Sequence, residues 1–173
     1  MKSVILTGAV VLAAAGMLHA ATPPLKPASA PANIMVDPEL ASSDFIEHCA
    51  GCHGVGGHSA PANLPELYNR VGWLMCTPES RAYLIHLPNV AHSRIKDNAE
   101  LADMLNYMVF VVGGASAPAG TKPFTAEEVA RERAHPLISG SLTAARAKYV
   151  DQAIRKCNAP LSLRLQYVGQ KKG

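Results

Sequence analysis

Between residues 38 and 157, hydrophobic positions return every three to four residues, and no stretch alternates with the period of two that marks a strand. Leu40, Ala41, Phe45 and Cys49 share one helical face in a segment that begins near Pro38. The clearest stripe is Leu101, Met104, Leu105, Met108 and Val112. It opens on Asp97-Asn98-Ala99-Glu100, which resembles a capping box, and closes on Gly113-Gly114. Thr77-Pro78-Glu79 is another start signal: an N-cap hydroxyl, a proline in the first turn, then an acid. That helix carries Arg81 to Leu87 and stops at Pro88. Two more helices follow, Thr125 to Ala134 with Thr125-x-x-Glu128 as a capping box, and Thr143 to Cys157. Leu64 to Trp73 reads as a loop or short helix, and 115–124 as a linker. With no strand and no internal repeat, the pattern predicts an all-α chain.

The first residues change the picture of where this chain works. Lys2 is followed by an uncharged apolar run, Val4 to Leu18, and then by the small residues Ala20 and Ala21. This is the pattern of a secretory signal peptide over 1–20. The run is short for a membrane span, and no stop-transfer pattern follows it. Residues 21–37, rich in Pro, Ala and Ser, read as a flexible tether. The mature remainder, about 150 residues, has the size of one domain. The whole chain's formal charge of +3, from which Lys2 leaves with the signal, is modest and mixed along the chain, which does not suggest a nucleic-acid binder and allows mild steering toward an acidic partner.

The candidate chemistry lies at Cys49-Ala50-Gly51-Cys52-His53. C-x-x-C-H is the attachment signal for c-type haem. Two thiols at this spacing can each add to a vinyl group of one porphyrin, and the adjoining histidine can supply the proximal imidazole. A zinc site would need a second ligand pair, whereas Cys76 and Cys157 stand alone and far apart. A redox dithiol would follow a strand, and none precedes Cys49. The motif therefore predicts one covalently attached haem c per chain, held by Cys49, Cys52 and His53, with His53 on the iron. Such haem is attached outside the cytoplasm, so motif and signal predict the same, periplasmic, compartment.

In an oxidising compartment unpaired thiols are disfavoured, which predicts a Cys76–Cys157 disulfide; the alternative is two separate buried thiols. The bridge would close a loop of about 80 residues and contribute roughly 4 kcal/mol in a chain-entropy treatment. It would also pin the C-terminal helices to the rest of the chain.

At these residues the chain resembles the class I monohaem cytochromes c, in particular a small proteobacterial periplasmic type. Phe45 stands four positions before the first motif cysteine, where that family carries an aromatic residue. Ala41 takes the place of the usual glycine at the helix crossing. Leu105-Asn106-Tyr107-Met108 is similar to the end of the family's last core helix, with Tyr107 in the aromatic place. Arg81-Ala82-Tyr83-Leu84 and Leu87-Pro88-Asn89-Val90-Ala91 carry the resemblance to the proteobacterial group. The likeness covers residues 38–113, which it implies are a cytochrome c haem domain. Residues 114–173 lie outside it and read as a helical extension packed on that domain.

The resemblance leaves the sixth iron ligand open. The family places a methionine on the loop before its last core helix, and here the loop from Pro88 to Lys96 has none. His92 falls near that position and is the first candidate; a bis-histidine site would lower the potential relative to methionine ligation. Met108, Met104 and Met75 are the alternatives, although a methionine on an apolar stripe is commonly core filling. A five-coordinate iron is the remaining possibility. Arg70, Arg81 and Arg94 are candidates to pair with haem propionates, guanidinium being suited to carboxylates. His48, His58 and His86 read as structural.

No triad, paired carboxylates or phosphate loop stands out, so the chain does not read as an enzyme by itself, and the resemblance implies an electron-transfer protein. The resemblance implies a periplasmic one-electron carrier between a dehydrogenase and a terminal oxidase or another cytochrome. The competing readings are a permanent cytochrome subunit of a periplasmic dehydrogenase complex and a haem sensor or peroxidase-like protein with an open sixth position.

Overall fold

The computed structural model describes residues 34–59 and 64–167, and the predicted signal peptide with most of the predicted tether lies outside them. Among the described residues there is no strand, and the fold is all-α. Helix α1, Pro38–His48, starts where the Asp37 side chain accepts a hydrogen bond from the Leu40 amide, with Pro38 in the first turn. After a break at Cys49, the single turn α2, Ala50–His53, carries the end of the C-x-x-C-H motif. A 3-10 helix, Val71–Met75, leads into α3, Pro78–His86. Thr77 and Ser80 cap α3 reciprocally, and Leu87-Pro88 ends it before a further turn, α4, Pro88–Ala91.

Helix α5, Asn98–Asn106, is capped by the Asp97 carboxylate, which accepts from the amides of Ala99 and Glu100. Beyond Asn106 the predicted stripe does not stay α-helical. Tyr107–Val112 is a π-helix, and the Gly113 amide reaches back to the Met108 carbonyl, five residues earlier. The wider turn rotates the end of the stripe relative to its start.

The crossing of α1 with this last helix builds the core. Ala41 is 1% exposed and Phe45 0%, and the Phe45 ring lies 5.7 Å from that of Tyr107. A small residue at position 41 lets the helices approach, and the aromatic pair fills the crossing. Leu40, predicted on the same face, is instead 44% exposed, because five residues along the helix set it well away from the buried Phe45 direction. The N-terminus of α1 is fixed by the Val36 and Asp37 amides, which donate to Asp103 of α5. Leu101, Leu105 and Val109 are fully buried, each contributing about 1.5–3 kcal/mol by leaving water.

The C-terminal helices are α6, Ala126–Arg133, and α7, Leu142–Cys157. Thr125 caps α6 by accepting from the Glu128 amide. The Glu128 carboxylate does not close the predicted capping box and instead takes the Arg81 guanidinium of α3. Arg81 also donates to the carbonyls of Lys122 and Pro123 and lies over the Phe124 ring, so this arginine is occupied well away from the motif. The predicted linker is likewise built into the core. Ser116 Oγ accepts from the Gly72 amide, and buried Asn106 exchanges hydrogen bonds with the Phe124 backbone. Helix α7 buries Arg146, Val150 and Ala153 on one face, and the structure pairs Cys157 at its end with Cys76.

Candidate haem site

The motif sits where α1 breaks, so its residues face different surroundings. Cys52 is exposed, whereas Cys49 is partly buried with its Sγ 4.0 Å from Met104 Sδ. Burial, with the nearby Asp44 and Cys52, pushes the Cys49 thiol up to about 11. A redox dithiol depends on a lowered thiol pKa, and this is the opposite direction. Among the described residues no group of three or more His, Cys, Asp or Glu side chains is arranged to hold a metal ion. Gly54 follows His53 at φ +74°, where a side chain would run into the His58 carbonyl. Glycine is what allows the chain to turn sharply there.

His53 is held by a hydrogen bond between Nδ1 and the Pro65 carbonyl, 3.1 Å long. A carbonyl can only accept, so Nδ1 carries the proton and Nε2 keeps its lone pair. A partner of this kind fixes tautomer and ring orientation in metal-ligating histidines. Burial also lowers the His53 pKa, although the Pro65 bond works against it, and a lowered pKa favours the neutral ring.

Cys52, His53 and His48 line a cavity of about 280 Å³. Its walls are mostly apolar. Leu67, Val71 and Leu74 come from the segment after the motif, and Tyr83, Leu84, Leu87 and Val90 from α3 and the turn beyond it. Met108 on the π-helix joins them. The C-terminal segment closes part of the wall with Leu142, Thr143, Arg146, Leu163 and Gln166.

Two arginines are built into this wall. Arg70 and Arg146 are 9% and 8% exposed. Burial lowers both pKa values, that of Arg146 to about 10 with the charge of Arg70 adding to the effect, while Glu66 partly offsets it at Arg70. The buried Nε of Arg70 has no hydrogen-bond partner. Haem carries two propionate carboxylates. An apolar wall, an imidazole with its lone pair free, two thiols at motif spacing and a guanidinium nitrogen awaiting an acceptor suit such a group.

The remaining candidates are dispersed. His92 is exposed at the end of α4 and does not line the cavity. Arg133 of α6 holds its loop by donating to the Ala91 and Ile95 carbonyls and to Asn98 Oδ1. Of the three methionines only Met108 reaches the cavity; Met104 and Met75 are buried outside it. Arg94 is exposed. His58 bonds Glu66 and His86 bonds Glu132 at 2.8 and 2.9 Å, in keeping with structural roles. Sequence reasoning missed Arg146. The available signal was a charged residue on the face that α7 buries.

An all-α fold that turns a C-x-x-C-H motif into an apolar cavity is the arrangement of a c-type cytochrome, and the chain belongs to that family. It is 31% identical over 130 residues to a cytochrome c-552 of Thermus thermophilus, across 63% of this chain and 87% of that protein. A second cytochrome c-552 of Thermus thermophilus is 31% identical over 118 residues, 58% of this chain and 89% of that protein. No family model and no solved structure matches the chain. It is accordingly an electron-transfer protein with covalently bound haem c, not an enzyme.

Proposed function

We propose that this cytochrome is a periplasmic one-electron shuttle between a dehydrogenase and a downstream acceptor such as a terminal oxidase or another cytochrome. Residues 1–20 direct export, and residues 21–37 connect the signal to the haem domain, with Val36 and Asp37 already tied to Asp103. Residues 38–113 make up the haem domain, on which 114–173 pack as an extension. Among the described residues no helix is long and apolar enough to cross a membrane.

Cys49 and Cys52 carry the thioether bonds, and His53 Nε2 is the proximal nitrogen. The observation that carries this reading is the His53–Pro65 hydrogen bond beside the cavity, which leaves one imidazole nitrogen free there. When bound, haem supplies a single Fe(III)/Fe(II) couple. The protein's part is to exclude water with the Leu67, Leu84 and Leu87 wall, hold His53 in one tautomer, and present the exposed Cys52 side to partners. For the sixth position we favour Met108 over His92, because Met108 is in the cavity wall and His92 is held away by its loop.

Optical and near-infrared spectra of the matured protein test this reading. A low-spin ferric spectrum with a methionine-to-iron charge-transfer band, lost in Met108→Leu, is the expected result. A bis-imidazole signature abolished by His92→Ala would transfer the sixth position to His92. A high-spin ferric spectrum with no sixth ligand would overturn the simple carrier in favour of a sensor or peroxidase-like role.

A further inference from the structure

We infer that the C-terminal extension supplies half of the haem's anion-binding site: Arg146 of α7 and Arg70 together receive the two propionates. This rests on the haem-site reading above. Both guanidinium groups line the cavity, and each is less than 10% exposed. Among the described residues neither takes part in an ion pair. Glu66 exerts its charge on Arg70, and its carboxylate is hydrogen-bonded to His58.

The hydrogen bonds these arginines do make are to neutral groups. Arg70 Nη2 donates to the carbonyls of Ser162 and Leu165, and Arg146 Nη2 to that of Leu163. All three carbonyls belong to the segment after α7. They orient the guanidinium forks without neutralising them, and Arg70 Nε is left buried and unpartnered. Two cations buried close enough to repel are unfavourable unless a counter-charge enters the same space. A buried guanidinium has five donors in a fixed fork and pairs best with carboxylates. The haem brings two carboxylates to a cavity that has two such forks.

The extension is then a working part of the haem site, held there by the pairing of Cys157 with Cys76 and by the Arg70 bonds to Ser162 and Leu165. Its positive charge favours the reduced iron, so Arg146 also raises the potential.

The test uses the full chain, matured with haem, as wild type, Arg146→Gln, Arg146→Lys and Arg70→Gln. A pyridine haemochrome assay first counts the covalent haem. Spectroelectrochemistry then reads the midpoint potential, and resonance Raman reads the propionate bending mode. Arg146→Gln lowers the potential and shifts the propionate mode, Arg70→Gln does the same, and Arg146→Lys retains most of the potential while shifting the mode. A haem-loaded Arg146→Gln protein with wild-type potential and an unmoved mode overturns the inference alone. If the Gln variant does not fold, an unmoved propionate mode in Arg146→Lys overturns it equally. A wild type without covalent haem overturns the haem-site reading and this inference together.

Discussion

The segment 38–113 and the helices after it meet the same cavity with different chemistry. The first brings the Cys52 thiol of the motif, the imidazole of His53 and most of the apolar wall. The second brings Arg146, Leu163 and Gln166, and its backbone carbonyls aim the one buried arginine, Arg70, that the first segment contributes. On the proposed reading, attachment and coordination would come from one part of the molecule, while much of the charge environment comes from the other. In this chain the second set is built into the cavity wall, which on that reading would separate how the haem is held from how its potential is set.

The largest way to break that comparison is to damage the first segment only. Phe45→Ala empties the α1 crossing and should cost about 3–5 kcal/mol, read as a lowered denaturation midpoint of the holoprotein. A cost below about 1 kcal/mol would mean that the crossing does not organise the core.

Detaching the second segment should cost less. Cys157→Ser with Cys76→Ser removes the covalent tie and should lower stability by about 2–5 kcal/mol under non-reducing conditions. The same experiment sharpens the comparison, because covalent haem content should stay at the wild-type level. Loss of haem in this variant would show that attachment needs the extension.

Smaller still is the effect of Arg81→Ala, which breaks a half-buried ion pair between the two segments and should cost about 2 kcal/mol. It should leave the optical spectrum unchanged, since Arg81 is not in the cavity wall.

The smallest expected effect lies at His86–Glu132. Burial raises the Glu132 carboxyl, but hydrogen bonds and charge from His86 and Arg131 outweigh it and hold the group below its usual range. A depressed carboxylate pKa contributes stability above its unfolded value and loses it as pH falls through the folded value. Glu132→Gln should therefore cost about 0.5–1 kcal/mol at neutral pH and nothing in strong acid. A cost that persists unchanged in acid would assign the effect to packing.

The difference between the segments also governs what could be read from the amino acids. Local rules served well wherever chemistry acts over three or four residues. Thr77, Asp97 and Thr125 begin helices as their hydroxyl or carboxylate predicts. The Phe45–Tyr107 crossing was legible through family resemblance. Long-range outcomes were not. Glu128 has a good local partner in the cap and chooses Arg81, and nothing in Tyr107–Val112 announces a π-helix. The place of His92 depends on Arg133, some forty residues later, which ties down the loop. Arg146 was hidden for a related reason. Its position on α7 marks a core face, and among the described residues no carboxylate forms an ion pair with it.

The central claim is that one haem is bound to Cys49 and Cys52 in a chain whose extension is tied across the same cavity. Intact-mass analysis with non-reducing peptide mapping of the matured protein tests it most directly. The account predicts one haem on the peptide containing Cys49 to His53 and a linked peptide pair containing Cys76 and Cys157. An unmodified Cys49–His53 peptide, in a host that loads haem onto other c-type cytochromes, would contradict it.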